Sequence, residues 1–549
     1  MTYLGKIIIY KIYKIKGEIM MKKVIALILV LCTLAVLFMA CGKKNGEKPT
    51  AKPTETEAPT NMWGETDLGV DVEGKWSGFD FDGDTLTFLV LNDDKVSREW
   101  GTEDPGDDEL DQQISLRNEL IASNLNLDID IQLTGTCIPG QEWQLWYDVY
   151  PALIKQDVDN KLHEFDVVAN YGVLGMSTTL MDYYVNLLDK DALPYFDFSL
   201  LCWNQAMVNN GTINGQLYLA AGDMNLSLFN SSMIMWHNMD LYDKVKKVEN
   251  GDSNDIQDLV LAGGWTFNEL YKWAAYYDND GDDTVCEDVY GLEMQNGSQP
   301  NDAIIYAWDL ELIQKNSDGT YKFNCVGNKK AEDALLDFRR LYFRDGNMIN
   351  SIKNGKSTCS CGNHFINGGV LFKADTLYFN RDTSAALRDM EDKYALVPWP
   401  KYEKEQEKYM TTSQDFLTTV SVLDHSECSV STKGEAISAY LQYSNEYSYD
   451  NVRGYYFHKI VKSKMLGTDD SDGHVSKSWD IFVMIVDNIQ FDFLYIYNRA
   501  LDCPIDSLWR WNAISNPNTV ENMYYNNQDT FEGKLQLLNE FFGLIEAEE

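Results

Sequence analysis

An acidic loop carries carboxylates at a spacing that suits a hard metal ion. The residues that would act as ligands are Asp278, Asp280, Asp282 and Asp288. Calcium takes several oxygen ligands, and alternation along a loop can turn successive carboxylates inward. The loop departs from an EF-hand, because Asp283 stands where glycine is required and Val289 where glutamate is required. A structural calcium site and a solvated acidic turn therefore both stay open, and no other cofactor is predicted.

Aromatic, amide and carboxylate side chains combine at several points of the chain. The candidates for contact with a ligand are Asn170, Tyr171, Trp203, Asp223, Asn225, Trp236, Trp399, Trp509 and Trp511. Sugars present apolar C–H faces edged by hydroxyls, and proteins meet them with aromatic rings and fixed polar groups. Prolines on both sides of Trp399 would fix its backbone. Each tryptophan has an alternative place in the core, because tryptophan is highly buried on average.

The sequence lacks the common hydrolase motifs. Neither a G-x-S-x-G elbow nor an H-E-x-x-H helix occurs, and the six histidines form no short cluster. A glycosidase needs two positioned carboxylates, but among 85 Asp and Glu residues some pair will always lie close. We therefore expect a binding protein rather than an enzyme, with a secreted glycan-active hydrolase as the alternative.

The N-terminal region has the layout of an export signal. Two lysines precede an apolar run that ends at Ala40, immediately before Cys41. This order is typical of a signal peptide, and Cys41 stands where a cysteine to be acylated would follow the cleavage site. Residues 1–40 are predicted to be a signal with an over-extended start, the initiator being Met20 or Met21. An uncleaved helix is the alternative, since the run approaches the roughly 20 residues that span a bilayer.

A polar tether connects this signal to a large acidic body. Residues 41–75 include a stretch rich in Pro, Thr, Glu and Lys that lacks apolar periodicity. Such a segment cannot bury enough apolar surface to fold, so we predict a disordered tether. The body that follows is long enough for two domains. Because the chain has a formal net charge of −39, nucleic acid is excluded as a partner.

The body alternates strands and helices. Apolar residues take every second position within 85–91 and 127–133, and they recur at helical spacing within 110–125. Strand, helix and strand in this order predict a βαβ unit. Another strand, 165–169, ends before Asn170 and Tyr171, and ligands bind beyond the carboxyl ends of such strands. Later predictions are a strand at 369–372 and helices at 332–343 and 435–445.

Several segments together resemble one protein family. In chain order they are 115–118 with 127–129, 166–168 with 187–189, Trp-Asn-Gln at 203–205, 213–218 with 222–223, Gly-Trp-Thr at 264–266, 365–372, 387–390, and Pro-Trp-Pro-Lys-Tyr at 398–402 with Gln406 and Tyr409. Their order and spacing across residues 85–500 are similar to the extracellular solute-binding proteins of carbohydrate-type ABC importers, a maltose-binding-protein-like family, in its lipoprotein branch.

This resemblance implies an α/β fold of the two-lobed periplasmic-binding-protein type II, with a ligand cleft between the lobes. Lobe one is expected to comprise residues 85–225 and 410–480. Lobe two is expected to comprise residues 230–405 and 480–549. The resemblance also implies that the candidate ligand residues border the cleft and that the lobes close by hinge motion when a solute binds.

The resemblance further implies a function in which no bond is made or broken. The protein is expected to capture a sugar or oligosaccharide reversibly and to deliver it to ABC permease subunits. Lipidation at Cys41 would hold a monomer on the extracellular face of the cytoplasmic membrane. A surface glycan-binding protein without an importer is a further alternative, which operon context would separate from the importer component.

Overall fold

The structure is a computed structural model that describes most of the chain beyond its N-terminal region. The described residues are 60–92, 97–101, 106, 108–134, 149–177, 181–248, 255–275, 277–278, 289–294, 300–343, 348–350, 364–380, 387, 390–414, 417–426, 433–467, 470–515 and 518–546. They all belong to one compact unit, Pro59–Glu549. The predicted signal, Cys41 and the first part of the predicted tether lie outside the described residues.

Strands and helices alternate through this unit. The strands are β1 (Asp84–Val90), β2 (Leu127–Leu133), β3 (Val167–Tyr171), β4 (Met233–Asn238), β5 (Tyr277–Asp278), β6 (Val289–Met294), β7 (Ile313–Lys315), β8 (Tyr321–Phe323), β9 (Met348–Asn350), β10 (Val370–Thr376), β11 (Tyr394–Val397) and β12 (Thr418–Val422). The helices are α1 (Val72–Trp76), α2 (Glu109–Leu125), α3 (Tyr150–Asp159), α4 (Gln205–Gly211), α5 (Ser227–Asn230), α6 (Met239–Val248), α7 (Ile256–Leu261), α8 (Phe267–Ala274), α9 (Pro300–Ala307), α10 (Lys329–Tyr342), α11 (Gly434–Ser448), α12 (His474–Asp487), α13 (Phe493–Ile496), α14 (Trp511–Ser515) and α15 (Val520–Phe541). Over the described ranges, none of the helices combines the length and apolarity needed to cross a bilayer.

The first sheet has the strand order β12-β3-β1-β2. β1 is parallel to both β2 and β3, and β12 is antiparallel to β3. In β1, Phe88 and Val90 pack into the apolar cluster on one face, whereas Leu89 packs into the cluster on the other. Burial of both faces is typical of a parallel sheet covered by helices. The predicted strand at 127–133 is confirmed, and the one at 85–91 is confirmed with a shift of one residue.

Helix α2 connects β1 to β2 and completes the predicted βαβ unit. It begins where the Asp108 carboxylate accepts hydrogen bonds from two backbone N–H groups of the first turn. Its buried face includes Ile114, Ile121 and Leu125, which recur at helical spacing. It ends at Asn126, whose left-handed backbone (φ 51°) turns the chain directly into β2.

The second sheet has the strand order β11-β4-β10-β6-β5, and β9 pairs with β6. β10 is parallel to β6 and antiparallel to β4. β11 is also antiparallel to β4, so it points in the same direction as β10. The predicted strand at 369–372 is confirmed as the first part of β10, which continues to Thr376.

Within the described ranges, three segments pass between the two sheets. Residues 222–232 form the first crossing and lead into β4, and residues 411–414 with Leu417 belong to the second, which leads into β12. The third crossing is helical, because α11 continues through the π-helical segments Tyr449–Arg453 and Tyr456–Met465. Helix α11 packs on α2 beside the first sheet, and the following α12 packs on β11 of the second sheet.

Residues 60–75 form ordered contacts with the body, although the sequence assigns them to the disordered tether. Leu68 and Trp76 are buried, and the Trp76 ring stacks on Tyr443 of α11. The Pro- and Thr-rich composition ends at Asn61. Trp63 and Trp76, which follow it, supply the apolar surface that an ordered segment must bury.

Candidate functional site

The carboxyl ends of the parallel strands in both sheets point at the crossings. At the end of β3, Tyr171 pairs with Thr418, and the next residue donates its backbone N–H to the carbonyl of Leu417 in the second crossing (2.5 Å). At the end of β10, Thr376 pairs with Met233, which follows the first crossing. We call this region, residues 222–232, 411–414 and 417–418 with the adjoining strand ends, the seam. Ligands of open α/β sheets bind at such strand ends.

The first two crossings lie side by side as a hydrogen-bonded ribbon. Gln414 donates its backbone N–H to the carbonyl of Ser231 (2.7 Å), and Met233 donates its own to the carbonyl of Thr412 (3.0 Å). The Ser413 hydroxyl donates to the carbonyl of Leu228 (2.5 Å). Two short paired segments between two sheets form a narrow connection about which the sheets can rotate.

A buried carboxylate, Glu99, fixes the start of α5 at the seam. Its Oε2 accepts a hydrogen bond from the backbone N–H of Ser227 (2.7 Å). Burial raises the pKa of Glu99 to about 7, although Ser227, Asn225 and Arg117 act in the opposite direction. Asn225, a predicted ligand residue, is fully buried and donates to the Thr418 hydroxyl (3.0 Å). The Asn225 amide thereby connects the first crossing to β12.

Asp223, another predicted ligand residue, lies at the beginning of the first crossing. Its side chain is buried, and its Oδ2 lies 3.5 Å from Nε of Arg453 on the third crossing. Burial raises the pKa of Asp223 to about 7, and the positive charge of Arg453 opposes this shift. Asp223 therefore faces the third crossing, and its contact with a ligand stays a prediction.

The predicted aromatic plates differ sharply in exposure. Trp203, Trp236, Trp399 and Trp509 are each at most 1% exposed, whereas Trp511 is 51% exposed. Trp203 donates its indole N–H to Gln442 (3.0 Å), and Trp509 donates its own to the carbonyl of Asn301 (2.8 Å). In this conformation only Trp511, among these tryptophans, offers a ring face to solvent. Contact of the buried rings with a ligand stays a prediction.

For the predicted ligand residues Asn170 and Tyr171, the structure describes only the backbone. The predicted strand at 165–169 is shifted by two residues, because β3 is Val167–Tyr171; Asn170 and Tyr171 are therefore its last residues, at the seam, and not the loop that follows it. Their side chains lie outside what the structure describes.

A polar cluster that sequence reasoning missed surrounds the first turn of α9. This helix follows β6, so its first turn lies toward the carboxyl edge of the second sheet. Arg510 pairs with Asp302 through both carboxylate oxygens and with Asp506 (2.6 Å). Asn301 is fully buried, and within the described part of the chain neither polar atom of its amide has a hydrogen-bond partner. The one sequence signal was Arg510 between two tryptophans.

A charged triad lies on the adjoining strands. Lys373 of β10 contacts Glu293 of β6 (2.7 Å) and Asp375 (3.5 Å). The register places Lys373 directly opposite Glu293, and Asp375 precedes the last residue of β10. Asp375 remains partly exposed and brings a carboxylate to the edge of the second sheet at the seam.

The calcium prediction falls mainly outside the described residues. Asp278 ends β5, but its side chain and residues 279–288, with the other predicted ligands, are not described. Among the described residues, no three His, Cys, Asp or Glu side chains are grouped as metal ligands. The calcium site stays a prediction.

Comparison with known proteins identifies the fold. No family model and no curated protein matches the sequence. A crystal structure of a sugar transporter from Rhizobium etli in an open conformation is 13% identical, with a TM-score of 0.51 over 84% of this chain and 100% of that chain. The GacH receptor of Streptomyces glaucescens, solved unliganded and with acarbose, is also 13% identical, with a TM-score of 0.49 over 83% of this chain and 99% of that one. The maltotriose binding protein of Thermus thermophilus is 12% identical, with a TM-score of 0.45 over 82% of this chain and 100% of that one.

The predicted fold class is confirmed. The chain has the two-lobed α/β fold of type II periplasmic binding proteins, as the likeness to the Rhizobium etli structure indicates. The two sheets and the crossings described above are the elements of that fold. The lobe boundaries that the resemblance implies stay predictions.

Proposed function

We propose that this protein is the extracellular solute-binding component of an ABC importer, and that it captures a sugar or oligosaccharide between its lobes. One observation carries the proposal: the parallel strands of both sheets end at the seam, on either side of paired crossings. Ligands of such sheets bind at these ends, and two sheets joined by a narrow connection can close on a solute.

The chemistry of the polar cluster at the first turn of α9 favours a neutral polar solute. The buried amide of Asn301 and the half-exposed ring of Trp511 flank Arg510, which Asp302 and Asp506 neutralise. Amides donate and accept hydrogen bonds, and aromatic rings stack on apolar sugar faces. A formal net charge of −39 disfavours strongly anionic solutes.

Binding without catalysis agrees with how two buried acids, Glu99 and Asp302, are used. Glu99 accepts a hydrogen bond from the α5 backbone, and Asp302 is paired with Arg510. A glycosidase needs carboxylates free to donate a proton or attack a sugar. These two carboxylates instead hold structural elements in place.

The cellular context is part of the same proposal. We infer that Cys41 is acylated after export, and that the monomer stands on the extracellular face of the cytoplasmic membrane. ABC permease subunits would be its partners, and calcium would stabilise the acidic loop at 278–288.

The direct test is thermal unfolding of the chain from Cys41 onward against mono- and oligosaccharides, with and without calcium. A ligand at 100 times its dissociation constant that binds only the folded state adds about 2.7 kcal/mol to the unfolding free energy. Chromatography of the same samples would show whether the glycan stays intact. A shift caused by an intact glycan supports the proposal, whereas cleavage identifies a hydrolase. No shift with any sugar contradicts the carbohydrate assignment.

A matched pair of variants locates the site once a ligand is found. Trp511→Ala removes the exposed ring beside Arg510, and we expect it to weaken binding about tenfold through lost stacking. Tyr525→Ala is the control, because Tyr525 on α15 is equally exposed at 51%. Equal affinities in the two variants would remove Trp511 from the site.

A further inference from the structure

The last part of the predicted tether, together with Trp76, lies along the third crossing. Asn61 donates its side-chain N–H to Asp450 (2.8 Å), and the Trp63 indole donates to the Asp450 carbonyl (2.6 Å). The Tyr449 hydroxyl donates to the carbonyl of Thr66 (2.7 Å). These bonds all reach the π-helical segment Tyr449–Arg453, immediately after α11. We call residues 60–76 the strap.

The strap reaches both sides of this crossing. Near one end, Trp76 stacks on Tyr443 of α11, with ring centroids 5.5 Å apart. Near the other end, Trp63 stacks on His458 at 5.1 Å, and His458 packs on Trp479 of α12 at 4.8 Å. Helix α11 belongs to the first sheet's side and α12 to the second sheet's side. The strap therefore bridges the helical connection between the lobes.

A chain of charges extends from the strap to the first crossing. Glu65 pairs with Arg453 (2.5 Å) and contacts His458 (3.0 Å). Arg453 also approaches Asp223 of the first crossing (3.5 Å). The Arg453 side chain is only 12% exposed, so solvent screens these pairs weakly. Movement of the strap would thus change the ion pairs of both the third and the first crossing.

A glycine in the third crossing allows the strap to approach. A Cβ on Gly454 would collide with the Trp63 indole, which lies directly against the helix backbone. Glycine lowers helix stability by about 1 kcal/mol relative to alanine. The close contact with Trp63 therefore requires a residue that weakens the helix of the third crossing. π-Helical turns often mark functional irregularities in helices, and here they coincide with the part that the strap covers.

We propose that the strap stiffens the third crossing and thereby limits how freely the two lobes move. It stiffens the π-helical part of the crossing through Trp63, and it holds Arg453 against Asp223 through Glu65. Because the strap includes the last residues of the predicted tether, attachment at the membrane acts on the third crossing. The inference requires only two lobes joined by crossings, and it holds for any solute.

Two variants disrupt the contact between the strap and the third crossing in different ways. Trp63→Ala removes the ring from the strap, and Gly454→Ala displaces the same ring while improving the helix propensity of the crossing. For both, we expect amides within 449–466 to exchange about tenfold faster with deuterated solvent, whereas exchange in α2 stays unchanged. Asp67→Asn is the control, because Asp67 is exposed on the strap and bonds only to the nearby Gly69 N–H in the described contacts.

Lobe motion is measured in the same variants without any ligand. Spin labels on non-natural residues at Asp128 of β2 and Asn268 of α8, both exposed, report the distance between the sheets. We expect a broader distance distribution in Trp63→Ala and Gly454→Ala, and an unchanged distribution in the control. Parental exchange and parental distances in Gly454→Ala would overturn the proposal, and so would faster exchange without a broader distribution. Neither readout depends on which solute binds.

Discussion

At the scale of single residues, burial separates side chains that share a type and a flanking sequence. Trp509 and Trp511 stand two positions apart, yet Trp509 is fully buried and Trp511 is half exposed. Glu99 lies beside Arg98 in the sequence, but its carboxylate bonds to Ser227, which follows 128 positions later. Because burial shifts the pKa of such a carboxyl group, its contribution to the free energy of unfolding depends on pH.

Replacement of Glu99 by glutamine should flatten the pH dependence of stability. The pKa of Glu99 is raised from 4.5 to about 7, so the folded protein binds the proton more tightly than the unfolded chain. Its contribution is therefore fully present below pH 4.5 and is lost as the pH rises to about 7. The loss for this shift is about 3 kcal/mol. In urea unfolding between pH 4.5 and 8, the stability of Glu99→Gln should decline by about 3 kcal/mol less than that of the parent, whereas the decline due to Asp223 should remain.

The control for this measurement is Glu119→Gln, because Glu119 is an exposed acid on α2. Its stability should follow the parental curve throughout. A decline in Glu99→Gln as steep as that of the parent would show that Glu99 is ionised throughout this range in the folded protein.

At the scale of elements, the seam depends on close approach between segments that are distant in sequence. Gly222 begins the first crossing and pairs with Trp203 as an isolated bridge. A Cβ at this position would collide with the Asn445 side chain of α11 and with the Cys202 carbonyl. Asn445 also accepts the backbone N–H of Met224 (3.2 Å), so it cannot move without loss of that bond.

Gly222→Ala should therefore destabilise the protein by about 1–3 kcal/mol through overpacking. The matched control is Gly533→Ala within α15, where a Cβ meets nothing within 4 Å. There the substitution should stabilise the protein by up to about 1 kcal/mol, since alanine is the better helix former. Chemical unfolding of both variants gives the two values. Equal changes would mean that the first crossing can relax around the added methyl group.

At the scale of the whole molecule, the cores of the two lobes are joined. One apolar cluster covers the second sheet, including Trp236 and Leu292, and it also contains Leu89 and Val168 from one face of the first sheet. A second cluster covers the opposite face of the first sheet, with Phe88 and Val420. The apolar core thus continues past the crossings instead of stopping at each lobe.

This continuity predicts that the body unfolds as one unit. We expect a single calorimetric transition in which the calorimetric enthalpy equals the van't Hoff enthalpy. The measurement is differential scanning calorimetry without ligand, and the transition should stay single in Asp67→Asn. Two resolved transitions would contradict a shared core and would show that each lobe folds independently.

The sequence alone determined the local elements and the fold class. Alternation located β1 and β2, and helical spacing located α2 between them, because these periods report which face of a segment is apolar. The helix predicted at 435–445 is confirmed as part of α11, Gly434–Ser448. The resemblance to solute-binding proteins then implied the two-lobed fold that the comparison of structures confirmed.

Only the tertiary structure decided which candidate residues are accessible and which groups meet across the seam. The strap was assigned to a disordered tether because its partners, such as Arg453 for Glu65, lie 388 positions away. Likewise, no pattern near Trp203 shows that its indole N–H donates a hydrogen bond to Gln442. Periodicity describes a segment's own faces, whereas the occupant of each face depends on how the crossings bring distant segments together.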